Sequence, residues 1–205
     1  VDIEEASNLV GNQSFTQLSG EVQSKSLVLL ENKNDLLPLT DSKTKLYLHG
    51  IDAAIAKAFG FAVVEDPEQA DIAIIRANTP YQILHPDYVF GRMQHEGDLS
   101  FKDGNDEYEL IKKTSAVVPT IVTVYLDRPA ILSNIIDKAD AVLGNFGISD
   151  SALMNTIVGN LSPEGKLPFQ LPASMDAVRE QQPDVPFDVA DELFGFGFGL
   201  EYPKQ

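Results

Sequence analysis

The sequence contains no cysteine. Disulfides, thiolate metal sites and cysteine nucleophiles are therefore excluded. The absence suits cytosol and periplasm alike, so it leaves the compartment open. Basic residues are scarce: 15 Lys and Arg stand against 31 Asp and Glu, a formal charge of −16. Phosphate backbones and anionic membrane surfaces are held by clustered Lys and Arg, and the chain has no such cluster. Neither nucleic acid nor a membrane is expected as a partner. No apolar run approaches the ~18 residues a membrane helix needs. The phosphate-cradling GxxxxGK[ST], a strand-bound GxGxxG and the GxSxG nucleophile elbow are all missing. The three histidines, His49, His85 and His95, lack metal-ligand spacing, so neither a metal nor another cofactor is expected. The chain starts at Val1 with no signal-peptide pattern. This suggests a processed chain or a piece of a longer one.

The 205 residues suffice for one large domain, or one domain with extensions. Residues 1–16 are polar and aperiodic and read as a lead-in or linker. Helical composition follows from Gln17 to Ser26, then the apolar run Leu27–Leu30 and a polar turn at Glu31–Asp35. Strands and helices then alternate. Strand candidates are Lys45–Gly50, Phe61–Val64, Asp71–Ala77, Thr120–Leu126 and Ala139–Phe146. Helix candidates are Asp52–Phe59 with Asp52 as N-cap, Asp106–Val117 stopped by Pro119, Pro129–Lys138, and one capped by Ser149 or Asp150. Strands apolar on both sides, alternating with helices, predict a parallel sheet covered on both faces.

Residues 78–105 break this rhythm. They follow the Asp71–Ala77 strand and show no helical period. A loop this long inside a compact domain is usually functional or disordered, and doubly wound sheets bind ligands at the carboxyl ends of their strands. The loop carries Tyr81, His85, Asp87, Tyr88, Arg92, His95, Glu96 and Asp98. Aromatic rings stack on the apolar faces of sugars, and charged groups bond sugar hydroxyls. Equally, these could be solvated loop side chains. Near the C-terminus, Gly195-Phe196-Gly197-Phe198-Gly199 has no strand–helix context for phosphate. It reads as a strand or turn whose rings pack on the body.

Several segments together resemble the C-terminal domain of glycoside hydrolase family 3, the β-glucosidase and β-xylosidase type. Lys25-Ser26-Leu27-Val28-Leu29-Leu30-Glu31-Asn32 with Leu36-Leu37-Pro38-Leu39 is similar to that family's KSxVLLKN…LLPL, with Glu31 where Lys is usual. Gly159–Phe169, containing Gly165-Lys166-Leu167-Pro168-Phe169, resembles GxxxPxGKLPF. Leu193–Leu200 is similar to LFxFGxGL, and Tyr125–Pro129 and Asn145-Phe146-Gly147 also fit. In the GKLPF segment the residues themselves suggest structure: Gly165 turning the chain, Leu167 and Phe169 packing, Pro168 keeping the backbone extended.

The resemblance implies an (α/β)6 sandwich, a flavodoxin-like arrangement with a mostly parallel six-stranded sheet between helices. It implies residues 1–16 as the linker from an N-terminal (β/α)8 barrel, and residues 17–205 as the sandwich domain. The barrel would carry the nucleophilic aspartate, and the substrate would be a β-linked oligosaccharide or glycoside. The domain would contribute the acid/base loop of a retaining exo-acting β-glycosidase. Gln94–Phe101 resembles the family's GEGxDRxxL, which puts Glu96 at the acid/base position, although no Arg follows Asp98. Asp98, Glu107 and Glu109 are rival carboxylates. Arg92 could bind sugar or pair with a loop carboxylate. His95 could bond a sugar hydroxyl or a loop carbonyl. Asp98 could contact sugar or cap a turn. A stand-alone sugar-binding or interaction module of flavodoxin-like fold, without catalysis, is the alternative.

Overall fold

The computed structural model describes residues 2–202. Val1 and residues 203–205, the outer ends of the expected linker and domain, lie outside the described residues. The central sheet has six strands: β1 (Val28–Asn32), β2 (Lys45–His49), β3 (Ala62–Val64), β4 (Ile72–Asn78), β5 (Thr120–Tyr125) and β6 (Ala141–Asn145). Their spatial order is β1-β6-β5-β4-β2-β3. All neighbours are parallel except β1, which runs antiparallel to β6 with Val28 opposite Gly144. The expected mostly parallel six-stranded sheet is what the chain forms.

Period-two alternation assigns the two faces. Val28, Leu30, Ile75, Ala77, Val122, Val124 and Val142 lie in one apolar cluster, under α4 (Asp106–Ser115) and α5 (Ser133–Lys138), which add Tyr108, Ile111 and Ile135. Leu29, Leu46, Ile74, Ile121, Ala141 and Leu143 lie in the other. There Ala56 of α3 (Ala53–Ala58) and Leu153, Met154 and Ile157 of α6 (Asp150–Ile157) cover them. The central strands are buried on both sides, which is why they read as continuous apolar runs. Asp52 caps α3 by accepting from the Ala54 N–H, and Ser149 caps α6 by accepting from Ala152. Asp150 is thereby left to accept from the Arg76 guanidinium at 2.6 Å and the Asp52 N–H at 2.8 Å.

Three local expectations change. The polar N-terminal stretch contains a helix, α1 (Ile3–Leu9), capped by Asp2, and α2 (Gln13–Ser26) begins earlier than its composition suggested, capped by Asn12. Both caps are short polar side chains accepting backbone N–H groups, the usual signal of a helix start. Pro129 does not open a helix; α5 starts at Ser133. Residues 130–132 are buried, and the Ile131 N–H donates to the Leu99 carbonyl at 3.1 Å, tying this segment to the end of the long loop. Gly165 is not at a positive-φ turn; a Cβ there would sit 2.5 Å from the Ser26 carbonyl oxygen, so the need is close approach. Lys166 donates to the Gly199 carbonyl at 2.7 Å, a structural bond.

A small hairpin of β7 (Leu171–Pro172) and β8 (Glu192–Phe194), with α7 (Met175–Glu180) between them, completes the body. Phe194 and Phe198 pack against the α4/α5-side core as expected of the Gly–Phe run. Phe196 does not: it is exposed and meets Phe187 at 4.6 Å between ring centroids.

Candidate active site

Parallel strands deliver their carboxyl ends to one edge of the sheet. Asn78 ends β4 and Tyr125 ends β5, and the loop of residues 79–105 leaves between them. The Thr79 N–H and hydroxyl both bond the Tyr125 carbonyl, at 3.2 and 2.8 Å. The loop then folds on itself. Gln82 and Glu96 form an antiparallel bridge, with N–H to carbonyl distances of 2.8 and 3.0 Å. Arg128, just beyond β5, closes its base. The guanidinium donates to the carbonyls of Pro80 at 3.1 Å, Glu96 at 2.8 Å and Gly97 at 2.7 Å.

Successive residues of an extended, bridged segment point to opposite faces, and His95 and Glu96 accordingly have different surroundings. The Glu96 carboxylate accepts the Leu84 N–H at 3.2 Å and His85 Nδ1, which lies 2.9 and 3.0 Å from its two oxygens. The His85 ring stacks on Tyr88, centroids 4.8 Å apart. The bond from His85 holds the Glu96 carboxyl below its ordinary range; partial burial opposes this and the Leu84 N–H adds to it. His95 instead bonds Asp127 through Nδ1 and stacks face to face on Tyr81 at 3.8 Å. His95, Tyr81 and Asp127, with Asn78, Glu107 and Tyr125, line a cleft of ≈520 Å³ at the strand ends.

The other predicted residues separate from this centre. Asp98 accepts from Lys102 at 2.6 Å and from the Ser100 N–H at 2.8 Å, so it caps a turn. Partial burial pushes its carboxyl up, but Lys102 and the Ser100 N–H outweigh that and bring it to about 2. Arg92 is exposed in the turn Gly91–Met93, and no loop carboxylate pairs with it among the described residues. Of the rivals, Glu107 clamps Asn78, accepting its backbone N–H at 2.7 Å and its side-chain amide at 2.9 Å. Glu109 takes the Gly104 N–H and Lys112. Glu96 is thus a loop carboxylate held by His85 and the Leu84 N–H, on the face of the bridge away from His95. Sequence reasoning missed Asp127 and Arg128 as builders of the site. Their place at the end of the clearest strand was the available signal.

The family model described as the glycosyl hydrolase family 3 C-terminal domain matches residues 57–202. The chain belongs to that family. A periplasmic β-glucosidase/β-xylosidase of Dickeya chrysanthemi is 50% identical over 202 residues, covering 98% of this chain and 31% of that protein. A probable β-glucosidase C of Aspergillus flavus is 41% identical over 204 residues, 98% of this chain and 32% of that one. The chain thus spans roughly a third of the length of the curated relatives it matches. Among solved structures, a β-glucosidase from Erythrobacter marinus superimposes with a TM-score of 0.77 at 19% identity, over 96% of this chain and 36% of that one. A Listeria innocua β-glucosidase in complex with glucose gives 0.72 at 17%, over 98% and 35%. These two likenesses establish the fold. None of the described helices of this family 3 domain is long and apolar enough to cross a membrane. Among the described residues, no cluster of three His, Asp or Glu side chains could hold a metal ion.

Proposed function

We propose that this family 3 domain is the second domain of a retaining, exo-acting β-glycosidase. It supplies Glu96 as acid/base to a preceding (β/α)8 barrel that carries the nucleophile, with residues 1–16 leading in from that barrel. The observation that carries the proposal is the oriented Glu96 on a loop pinned by Arg128 at the sheet's carboxyl edge, in a chain 50% identical to a β-glucosidase/β-xylosidase. β-Glucosides and β-xylosides are the substrates those relatives' names suggest.

Retaining hydrolysis needs two carboxyl groups about 5–5.5 Å apart. The barrel nucleophile bonds the anomeric carbon while protonated Glu96 gives its proton to the departing glycosidic oxygen. Ionised Glu96 then takes a proton from the water that releases the sugar. The free domain favours only the ionised, basic form, because His85 bonds the carboxylate and its side chain is still 25% exposed. Enclosure by the barrel is what would raise the carboxyl toward the neutral range a general acid needs. His95 and the Tyr81 ring would contact sugar from the adjoining cleft, and Arg92 from the loop's exposed turn. Asp98 supports the loop. No cofactor takes part.

The experiment is a comparison of turnover on aryl β-glucosides and β-xylosides. The full reading frame containing this chain should hydrolyse them, and the 205-residue chain alone should not. Enzyme-like rates from the isolated chain would overturn the two-domain reading. Micromolar binding of a free sugar by the isolated chain would favour the stand-alone module instead.

A further inference from the structure

We infer that His85 is the positioning residue for Glu96, fixing both the direction of its carboxyl group and the proton it carries through a donated Nδ1–H bond. This rests on the reading of Glu96 as the acid/base. Nδ1 lies nearly equidistant from the two carboxylate oxygens, 2.9 and 3.0 Å. A carboxylate has no hydrogen to give, so the hydrogen of this contact belongs to His85, as the Nδ1–H tautomer or the imidazolium. The ring is itself located twice over. Tyr88 stacks on it at 4.8 Å and 22°, and the Tyr88 N–H donates to the His85 carbonyl at 3.1 Å.

The turn that brings His85 to Glu96 is built for the purpose. Phe90 sits at φ 62°, and a Cβ on Gly91 would overlap the His85 carbonyl oxygen, so the segment from His85 to Gly91 is closed too tightly for a side chain there. The Gly91 N–H donates to the Tyr88 carbonyl at 2.8 Å. The bridge between Gln82 and Glu96 fixes the opposite flank. The remaining charged groups near the loop are occupied or turned away. His95 faces Asp127, Asp98 faces Lys102, and Arg128 faces carbonyls, including that of Glu96 itself. Asp87 and Arg92 are exposed, and neither forms an ion pair among the described residues. Among the described residues, His85 is thus the one titratable side chain bonded to the Glu96 carboxylate.

A bond to the ionised form favours ionisation. Removing the donor lets Glu96 keep its proton to higher pH, so the alkaline limb of kcat/KM moves up. The test uses the full reading frame and pH–rate profiles of four variants. His85→Phe keeps a ring on Tyr88 but has no donor; His85→Ala loses both. Each should move the alkaline limb up by about one unit, the size expected for loss of a close favourable partner. His85→Asn restores a donor and should return the limb to near its wild-type position. Glu96→Gln, run in parallel, should cut turnover by about 10²-fold or more. A limb that stays in place in both His85→Phe and His85→Ala, while Glu96→Gln is impaired, overturns the role of His85 and leaves Glu96 standing. Unimpaired Glu96→Gln removes both. A uniform fall in kcat with fixed limbs marks His85 as packing only.

Discussion

At the scale of single residues, the long loop is held by a few charged groups that face inward to the backbone. Arg128 spends its guanidinium on three carbonyls rather than on a carboxylate. Charge-assisted bonds of this kind are the stronger ones. Arg128→Ala should cost about 2 kcal/mol, seen as faster amide exchange at Gln82 and Glu96 before any change at β5. Exchange at those two amides as slow as in the wild type would show that the bridge holds itself. Asp98 offers a second check. Its carboxyl is depressed to about 2, so the stabilisation it gives the turn is complete above its ordinary value of 3.8 and is lost as pH falls through about 2. A carboxyl-carbon titration should place its midpoint there, and Lys102→Met should bring the midpoint back toward the ordinary value. Glu96 has the same sign: its bond to His85 is lost on acidification, not on raising the pH.

At the scale of elements, two kinds of glycine separate packing from conformational freedom. Gly165 and Gly199 let three backbone segments meet, since a Cβ on Gly165 would lie 2.5 Å from the Ser26 carbonyl oxygen and one on Gly199 would overlap the Gly165 carbonyl oxygen. Gly165→Ala should therefore cost about 3 kcal/mol by overpacking. Gly20 sits inside α2 with nothing near its missing side chain. Gly20→Ala should raise stability by about 0.5–1 kcal/mol, and denaturant midpoints would show both effects. The same contrast explains what could be read from the residues. The sheet was legible because its central strands are buried on both faces and so read as short, nearly continuous apolar runs. The Asp52 cap was legible because it is local, whereas at α6 the residues left Ser149 and Asp150 open and the structure gives Ser149. Helix α1 was not legible: it buries no residue, so it has no apolar period to reveal it. Pro129 misled because a proline suits a first helical turn and an extended segment equally, and only the bond from Ile131 to Leu99 decides between them. Among the candidate site residues, Glu96 was singled out by a motif. Its separation from His95 could not be read, because that depends on the register of the bridge to Gln82. Asp98 was visible as a carboxylate, but its use in a turn needed Lys102 in place.

At the scale of the whole molecule, the domain has a covered core and, on the proposed reading, one half of a site. Both faces of the sheet are covered, whereas the loop beside Glu96 exposes Tyr88, Val89, Phe90 and Met93. An exposed apolar cluster next to an oriented carboxylate is what a surface looks like when it closes against another body. The acidic balance of −16 fits neutral glycoside substrates and offers nothing to a polyanion. The proposed role of Glu96 is decided by turnover of the full reading frame carrying Glu96→Ala, compared across leaving groups and with added azide. The prediction is a loss of about 10²–10⁴-fold on poor leaving groups, a smaller loss on activated aryl glycosides, and recovery of the latter by azide. Turnover that matches the wild type on poor leaving groups would contradict it.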